Sequence, residues 1–459
     1  MQENNKERGQ RARFSGGLGY ILAAAGSAVG LGNICRFPYL AARHGGGMFL
    51  LTYLVLMLTF GYALIVSETA IGRKTKKSPV GAFMTFGKGK AFRFGGWINA
   101  VIPMLIVPYY SVIGGWVIKY IIEYINGNSS ELAQDGYFVT FIADSMSAEL
   151  WYLVYAAIAF AIILAGVKNG IERVSKVMMP ILVVLAIVVA VYSVTRPGAI
   201  EGVKYFLIPN FENFSIMTVV AAMGQMFYSL SIAMGILYTY GSYLSDDVDI
   251  AKSTSRVELC DTGIAVLAGL MVIPSVFAFS GGDPDTLNAG VPLMFITLPK
   301  VFDSMGFGNV IGFAFFTMVL FAAITSSIAL LETAVSTLTD ELSWSRKKGI
   351  GAMAVVMLAL GTASAFGFGV WDFVTIMGMS ILDFLDFLTN SVMMPIAAFA
   401  TCMLVVRVIG CKNVADEVRK SSAFGREKVY AFVMRYLAPI CTIIILISSV
   451  ANVMGWITL

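Results

Sequence analysis

The sequence predicts an all-α polytopic membrane protein of about eleven transmembrane helices, two of them broken. Three observations carry this. Of 459 residues, 58% are hydrophobic and 13% charged, against about 25% charged in soluble domains; mean hydropathy is +0.80. Apolar runs of roughly 20 residues, the length that crosses a bilayer, recur from end to end. Two of those runs carry glycines and polar side chains for which a plain lipid-facing helix has no use.

The spans are expected near 17–41, 46–71, 95–125, 150–167, 172–195, 216–241, 257–280, 309–338, 348–369, 376–407 and 429–456. Several exceed the bilayer thickness, which implies tilt or internal breaks. The first contains ILAAAGSAVGLGNICRFPYL (21–40), with Gly26, Gly30 and Gly32 in one helical stretch, then Asn33, Arg36 and Pro38. Glycine weakens a helix by roughly 1 kcal/mol relative to alanine, and an unmade backbone hydrogen bond is costly in lipid. A break there is tolerable only where the freed carbonyls face a cavity, an ion or a ligand.

The sixth span repeats the pattern. AAMGQMFYSLSIAMGILYTYG (221–241) holds Gln225, Tyr228, Ser229 and Ser231 between Gly224 and Gly235. Interruptions five spans apart point to inverted five-helix repeats, because an odd number of spans per half reverses the second half in the membrane. The repeats are expected at about 17–195 and 216–407, with an extra helix at about 429–456, all within one transmembrane domain over 1–459. Gly170 and Pro180 weaken the fifth span. The stretch 281–308 is too apolar for a plain linker and reads as a re-entrant or capping hairpin on the outer face.

Loop charge sets the orientation. Lys6, Arg8, Arg11 and Arg13 precede the first span, and Arg73, Lys74, Lys76, Lys77, Lys88, Lys90 and Arg93 follow the second. Later basic clusters lie at 346–348 and 407–428, while the alternate loops carry Glu131, Asp135, Asp283 and Asp285. The positive-inside rule places the N-terminus in the cytoplasm, and an odd span count places the C-terminus outside a multi-pass cell-membrane protein. The N-terminus is polar, with no cleavable-signal pattern. A single histidine, His44, excludes most His-based catalysis, and five scattered cysteines without CxxC spacing read as packing residues. A net charge of +4 spread over loops does not suggest nucleic acid. There is no GxxxxGK[ST] phosphate loop and no clustered carboxylates within a span, which argues against an ATPase or a membrane enzyme.

Taken in order, GSAVGLGNICRFP (26–38), GGG (45–47), QMFYSLS (225–231), TSS (325–327) and LDFLDF (382–387) resemble the neurotransmitter:sodium symporters. Among these, the chain resembles the bacterial eleven-span amino-acid transporters, such as the multi-hydrophobic-amino-acid transporters, over spans one to ten. The resemblance implies a sodium-coupled secondary active symporter that imports hydrophobic L-amino acids by alternating access, with two sodium ions, in a lipid bilayer and with no required oligomer. A proton-coupled amino-acid permease of the same general fold is the alternative. A channel or a sensor that keeps the sites without flux is a further one.

The resemblance also implies site residues. The first sodium site would use Ala28, Asn33, Ser229 and Asp261, completed by the substrate carboxylate. The second would use the carbonyls of Gly26, Val29 and Ala322 with the hydroxyls of Thr325 and Ser326. The substrate would lie among Ala28, Gly30, Leu31, Gly32, Ile106, Tyr110, Tyr228, Ser229, Ser231, Met234, Ser326 and Leu330. Amides near Leu31 and Gly32, with Tyr110, would meet its carboxylate. Gly30, an aspartate in monoamine transporters, implies a substrate that brings its own carboxylate. Arg36 and Asp386 would pair through water as an outer gate above a lid of Tyr110 and Tyr228; Arg11 and Asp340, with Ser242 and Tyr243, would form the inner gate. Asp261 departs from the family's usual asparagine, and Ala265 stands where chloride-independent relatives carry glutamate, so Asp261 itself would supply the charge that makes uptake chloride-independent. Other readings stay open at single positions: Asn33 and Ser229 as hydrogen bonds between helices, Thr325 and Ser326 bonding their own backbone, Ile106 and Leu330 as packing, Arg11 as a solvated topogenic charge, Asp261 as a helix-end carboxylate.

Overall fold

The computed structural model of the chain describes residues 12–280, 291–454 and 456. Among the described residues, nine helices are long and apolar enough to cross a membrane, and the bent pair Gly17–Ala28 and Gly32–Arg43 makes a tenth span. The remaining expected span is split into Ile216–Ser229 and Ile236–Ser242, neither long enough to cross alone. In chain order the bent pair is span one and the split helix span six. Spans two to five are Gly47–Thr75, Lys90–Ile125, Ser145–Leu164 and Val167–Val194; spans seven to eleven are Ile250–Phe279, Gly308–Leu342, Arg346–Phe366, Ile381–Ile409 and Glu427–Val453.

Several helices begin before their apolar runs do: span three at Lys90 rather than 95, span four at Ser145 rather than 150, span seven at Ile250 rather than 257. Polar residues at a membrane surface continue a helix as readily as apolar ones, so hydropathy undercounts these ends. The expected outer hairpin falls partly outside the described residues, at 281–290; beyond it the chain is helical from Leu293 to Ser304.

The break in span one has a definite backbone account. Val29 N–H is the last to bond within the first half, to Ala25 O at 2.8 Å. Gly30 N–H donates instead to Asn33 Oδ1 at 3.1 Å, and Leu31 N–H to the Tyr110 hydroxyl at 3.2 Å. The carbonyls of Gly26 and Ser27 therefore lose their helical donors. A wide π-helical turn, Gly32–Arg36, carries the chain into the second half, and Pro38, in that half's first turn, has no N–H to orphan. In span six, Ser231 (φ 53°) and Ala233 (φ 60°) sit in the left-handed region, which costs a non-glycine residue about 1–2 kcal/mol. Their neighbours hold them there: Ser231 Oγ donates to Ser27 O at 2.9 Å, and Ala233 N–H to Glu68 Oε1 at 2.9 Å.

Spans three and eight form the centre, each 83% buried over its most apolar window, whereas spans four, five and eleven are 33% buried and turn residues such as Leu153, Val184, Val191 and Ile447 outward. That surface suits lipid. Span two and the second half of span six are packed backbone to backbone. A Cβ at Gly72 would lie 2.2 Å from Tyr238 O, and one at Gly241 2.5 Å from Thr69 O. We expect Gly72→Ala to cost about 1–3 kcal/mol through overpacking, seen as a lower melting temperature in detergent, while Gly351→Ala, with nothing within 4 Å of its new Cβ, leaves it unchanged.

Candidate functional site

The two breaks face each other across a narrow cavity lined by Ser27, Ala28, Gly30, Leu31, Gly32, Asn33, Ile106, Tyr110, Tyr228, Ser231, Met234, Ile236, Ser326 and Leu330. Every expected substrate residue except Ser229 lines it. Its walls are of two kinds. Span one presents the backbone of Gly30–Gly32 beside the Tyr110 hydroxyl, a donor-rich end that suits an anion. Ile106, Met234, Ile236 and Leu330 form the apolar remainder. A Cβ at Gly30 would come within 3.0 Å of both Ser326 Oγ and Tyr110 OH, so a side chain there would occupy the cavity itself.

On one side of the cavity, oxygens converge. Ser326 Oγ lies 3.4 Å from Gly26 O, 3.1 Å from Ser27 O and 3.4 Å from Val29 O. Thr325 Oγ1 bonds Phe321 O at 2.9 Å and Ala322 O at 3.1 Å. Gly26, Val29, Ala322, Thr325 and Ser326 are the expected second-site residues, joined here by Ser27 and Phe321, and the hydroxyl of Ser326 reaches across to span one rather than only back to its own helix. A hard cation takes oxygen ligands of this kind.

On the other side sits Asp261, fully buried within span seven. Its Oδ1 accepts from Asn33 Nδ2 and Ser229 Oγ, both at 2.8 Å, and its Oδ2 from Tyr53 OH at 2.9 Å. This removes the helix-end reading of Asp261. The expected first-site side chains Asn33 and Ser229 thus both bond Asp261, and Ala28 lines the adjoining cavity.

Beyond Tyr228, a wider vestibule is lined by Arg36, Asp386, Asp383, Asn390 and residues of spans six, ten and eleven. Leu31, Gly32 and Tyr228 line both spaces. Arg36 sits over the Tyr228 ring at 5.5 Å. Asp386 accepts from Tyr109 OH at 3.1 Å and Asn390 Nδ2 at 2.6 Å. Among the described residues no direct ion pair joins Arg36 and Asp386, which both face the vestibule.

The opposite, basic end is packed shut. Phe14 lies among Tyr20, Tyr240 and Tyr243, and the Ser15 N–H donates to Glu172 Oε2 at 2.9 Å. Glu172 closes the wide turn Val167–Glu172 that contains Gly170. Of the expected inner gate, Arg11 lies outside the described residues. Asp340 accepts from Ser78 N–H at 2.9 Å and Ser242 Oγ donates to Thr239 O at 2.5 Å. Tyr243 donates to Glu332 Oε1 at 2.6 Å, and Arg346 clasps the same carboxylate at 2.9 and 2.6 Å.

Sequence reasoning missed Ser27, Tyr53, Glu68, Ile236, Glu332 and Arg346. Glu68 and Glu332 had a signal: each is a carboxylate inside an apolar run, where ionisable groups are costly unless they serve a purpose. Ser27 and Tyr53 had none, since their importance lies in what they touch. The lone His44 lies at the turn after span one, its imidazole held below the ordinary histidine value by burial and by Arg43. Among the described residues, no cluster of three His, Cys, Asp or Glu side chains is arranged for a metal ion.

This fold and site define a class. Residues 11–133 and 141–456 match the sodium:neurotransmitter symporter family, and the chain belongs to it. It is a sodium-dependent multi-pass membrane transporter and not an enzyme. It is 34% identical to the "uncharacterized sodium-dependent transporter YhdH" of Bacillus subtilis over 94% of this chain and 96% of that one. It is 33% identical to an uncharacterized sodium-dependent transporter of Haemophilus influenzae, over 98% and 100%. Among solved structures it resembles MhsT in complex with L-phenylalanine, with TM-score 0.86 and 35% identity, over 96% of this chain and 100% of MhsT. If the converging oxygens hold the ion, Ser326→Ala removes one oxygen ligand and should weaken sodium binding about tenfold, roughly 1.4 kcal/mol. The measurement is the sodium concentration that half-saturates the protein's thermal stabilisation.

Proposed function

We propose that the protein is a sodium-coupled symporter that imports hydrophobic L-amino acids by alternating access, independently of chloride. The observation that carries this reading is the division of labour at the span-one break. Its diverted N–H groups bond Asn33 and the Tyr110 hydroxyl at the cavity wall, leaving the Tyr110 O–H to donate, and its freed carbonyls face Ser326. One unwound turn can therefore hold a carboxylate and a cation together.

In this reading the substrate carboxylate meets Leu31, Gly32 and Tyr110, and its side chain fills the space bounded by Ile106, Met234, Ile236 and Leu330. One sodium ion joins Ala28, Asn33, Ser229, Asp261 and the carboxylate; a second takes Gly26, Val29, Ala322, Thr325 and Ser326. Direct contact between ion and substrate makes each bind better in the presence of the other, and linkage makes this reciprocal. The bare Gly30 supports an amino acid over an amine, since a substrate without its own carboxylate would leave the donor end unmatched. The apolar walls, and the phenylalanine held by the similar MhsT, support a hydrophobic side chain. Asp261, held in place by three donors with acceptor capacity to spare, would provide the negative charge that a chloride ion would bring.

Spans one, two, six and seven would rock against the others, closing the vestibule above Tyr228 and opening the basic end. With the N-terminus cytoplasmic and the C-terminus outside, that end faces the cell interior, and the repeats at 17–195 and 216–407 account for the symmetry of the motion. Unwinding between Gly170 and Pro180 would let water reach the second ion and release the Ser15–Glu172 contact.

The test is a thermal-shift screen of the twenty amino acids with and without sodium. Hydrophobic amino acids should stabilise the protein only when sodium is present; no sodium-dependent ligand in the set would defeat the reading. In proteoliposomes, replacing chloride by gluconate should leave uptake unchanged, whereas Asp261→Asn should make it rise with chloride. Uptake that persists without sodium would favour a proton-coupled permease instead.

A further inference from the structure

The basic end carries an unfinished ion pair. Glu258, on span seven one turn before Asp261, is 3% exposed, and among the described residues neither of its carboxylate oxygens has a hydrogen-bond partner. The cation beside it is Arg426, whose Nη1 stands 3.7 Å from Glu258 Oε2. A charge-assisted hydrogen bond needs about 2.8 Å. A buried carboxylate without donors is unfavourable, so this arrangement leaves stabilisation unrealised that a small approach of Arg426 would supply.

Arg426 belongs to the connection between spans ten and eleven, and the first part of that connection is firmly tied down. Arg73, at the end of span two, is completely buried. Its Nε donates to Glu417 Oε1 at 2.9 Å and its Nη1 to Val248 O at 2.7 Å and Ser421 Oγ at 3.3 Å. The helix Cys411–Arg419 is thereby bound both to span two and to the loop before span seven. Further on, the Tyr430 and Ser67 hydroxyls are 2.9 Å apart, and Phe424 packs on Tyr62 and Tyr430. Between these anchors Arg426 rests on the Tyr62 ring, 4.7 Å from its centroid, and its side chain is 44% exposed.

We propose that Glu258 and Arg426 are a latch for the transport cycle: open in this conformation, with the vestibule accessible and the basic end shut, and closed when that end opens. Arg426 immediately precedes span eleven, outside the rocking group, whereas Glu258 is carried by span seven within it, so tilting of span seven changes their separation and completes the pair in the second state. Both residues are positioning residues; neither lines the cavity. This rests on the alternating-access reading above.

The test is uptake kinetics in proteoliposomes for the full chain, with sodium-dependent thermal stabilisation measured in parallel. Glu258→Gln and Arg426→Gln should each lower kcat about tenfold, an ordinary conformational coupling, while KM and the sodium-induced thermal shift stay at wild-type values. The double variant should be no slower than either single one, and Arg426→Lys, which keeps the charge, should recover part of the rate. Arg426 is half exposed, so its variants carry the test if Glu258→Gln does not fold. Unchanged kcat in the Arg426→Gln protein, additive losses in the double variant, or a joint loss of KM and thermal shift would overturn the latch. Wild-type protein without sodium-dependent uptake would instead overturn the alternating-access reading beneath it.

Discussion

The structure depends on where the backbone hydrogen bonds of span one go. In a bilayer every peptide group needs a partner, and a helix supplies one automatically. Here two N–H groups are diverted, Gly30 to Asn33 and Leu31 to Tyr110, and the carbonyls they abandon turn to Ser326 on span eight. The break is thus held open by three other parts of the molecule. Span three supplies Tyr110, span eight supplies Ser326, and span six answers with Ser231, whose hydroxyl bonds Ser27 O. The long central helices three and eight provide the rigid frame against which such a strained turn can persist.

That frame explains how polar chemistry is spread through an apolar protein. Asp261, Glu68 and Glu332 are each completely buried, and each has donors from another segment of chain. Asp261 gathers spans one, two and six. Glu68 caps the left-handed stretch of span six. Glu332 ties Tyr243 to Arg346 at the closed end. A carboxylate in the membrane is stable only with such partners, so each one marks a junction where helices meet in a defined geometry.

Much of this was legible from residues alone. The spans follow from hydropathy, and the breaks from glycines at 26, 30 and 32 and the polar insert at 225–231. The cavity lining followed nearly whole once family resemblance aligned the motifs. What the sequence did not carry were pairings made by folding. Nothing in the chain links Ser27 to Ser231 or Tyr53 to Asp261, separated by 204 and 208 positions. Helix ends were misjudged for a related reason: hydropathy sees the membrane boundary, while the helix continues past it until hydrogen bonding stops. At the closed end Tyr243 was legible in the sequence, but its partner Glu332 was not, because a lone acid inside an apolar run does not say which hydroxyl it meets.

Tyr228 belongs to both the cavity and the vestibule, and its ring lies directly on the backbone at Gly32, where a Cβ would sit 2.3 Å from Cδ1. Gly32 is also the residue whose carbonyl receives Gln225 from the same helix as Tyr228, at 2.9 Å. The partition between the two compartments is therefore fastened to the floor it covers. Gln225 and Tyr228 stand about one turn apart on the same helix, so a shift of that helix carries the partition and the unwound turn together.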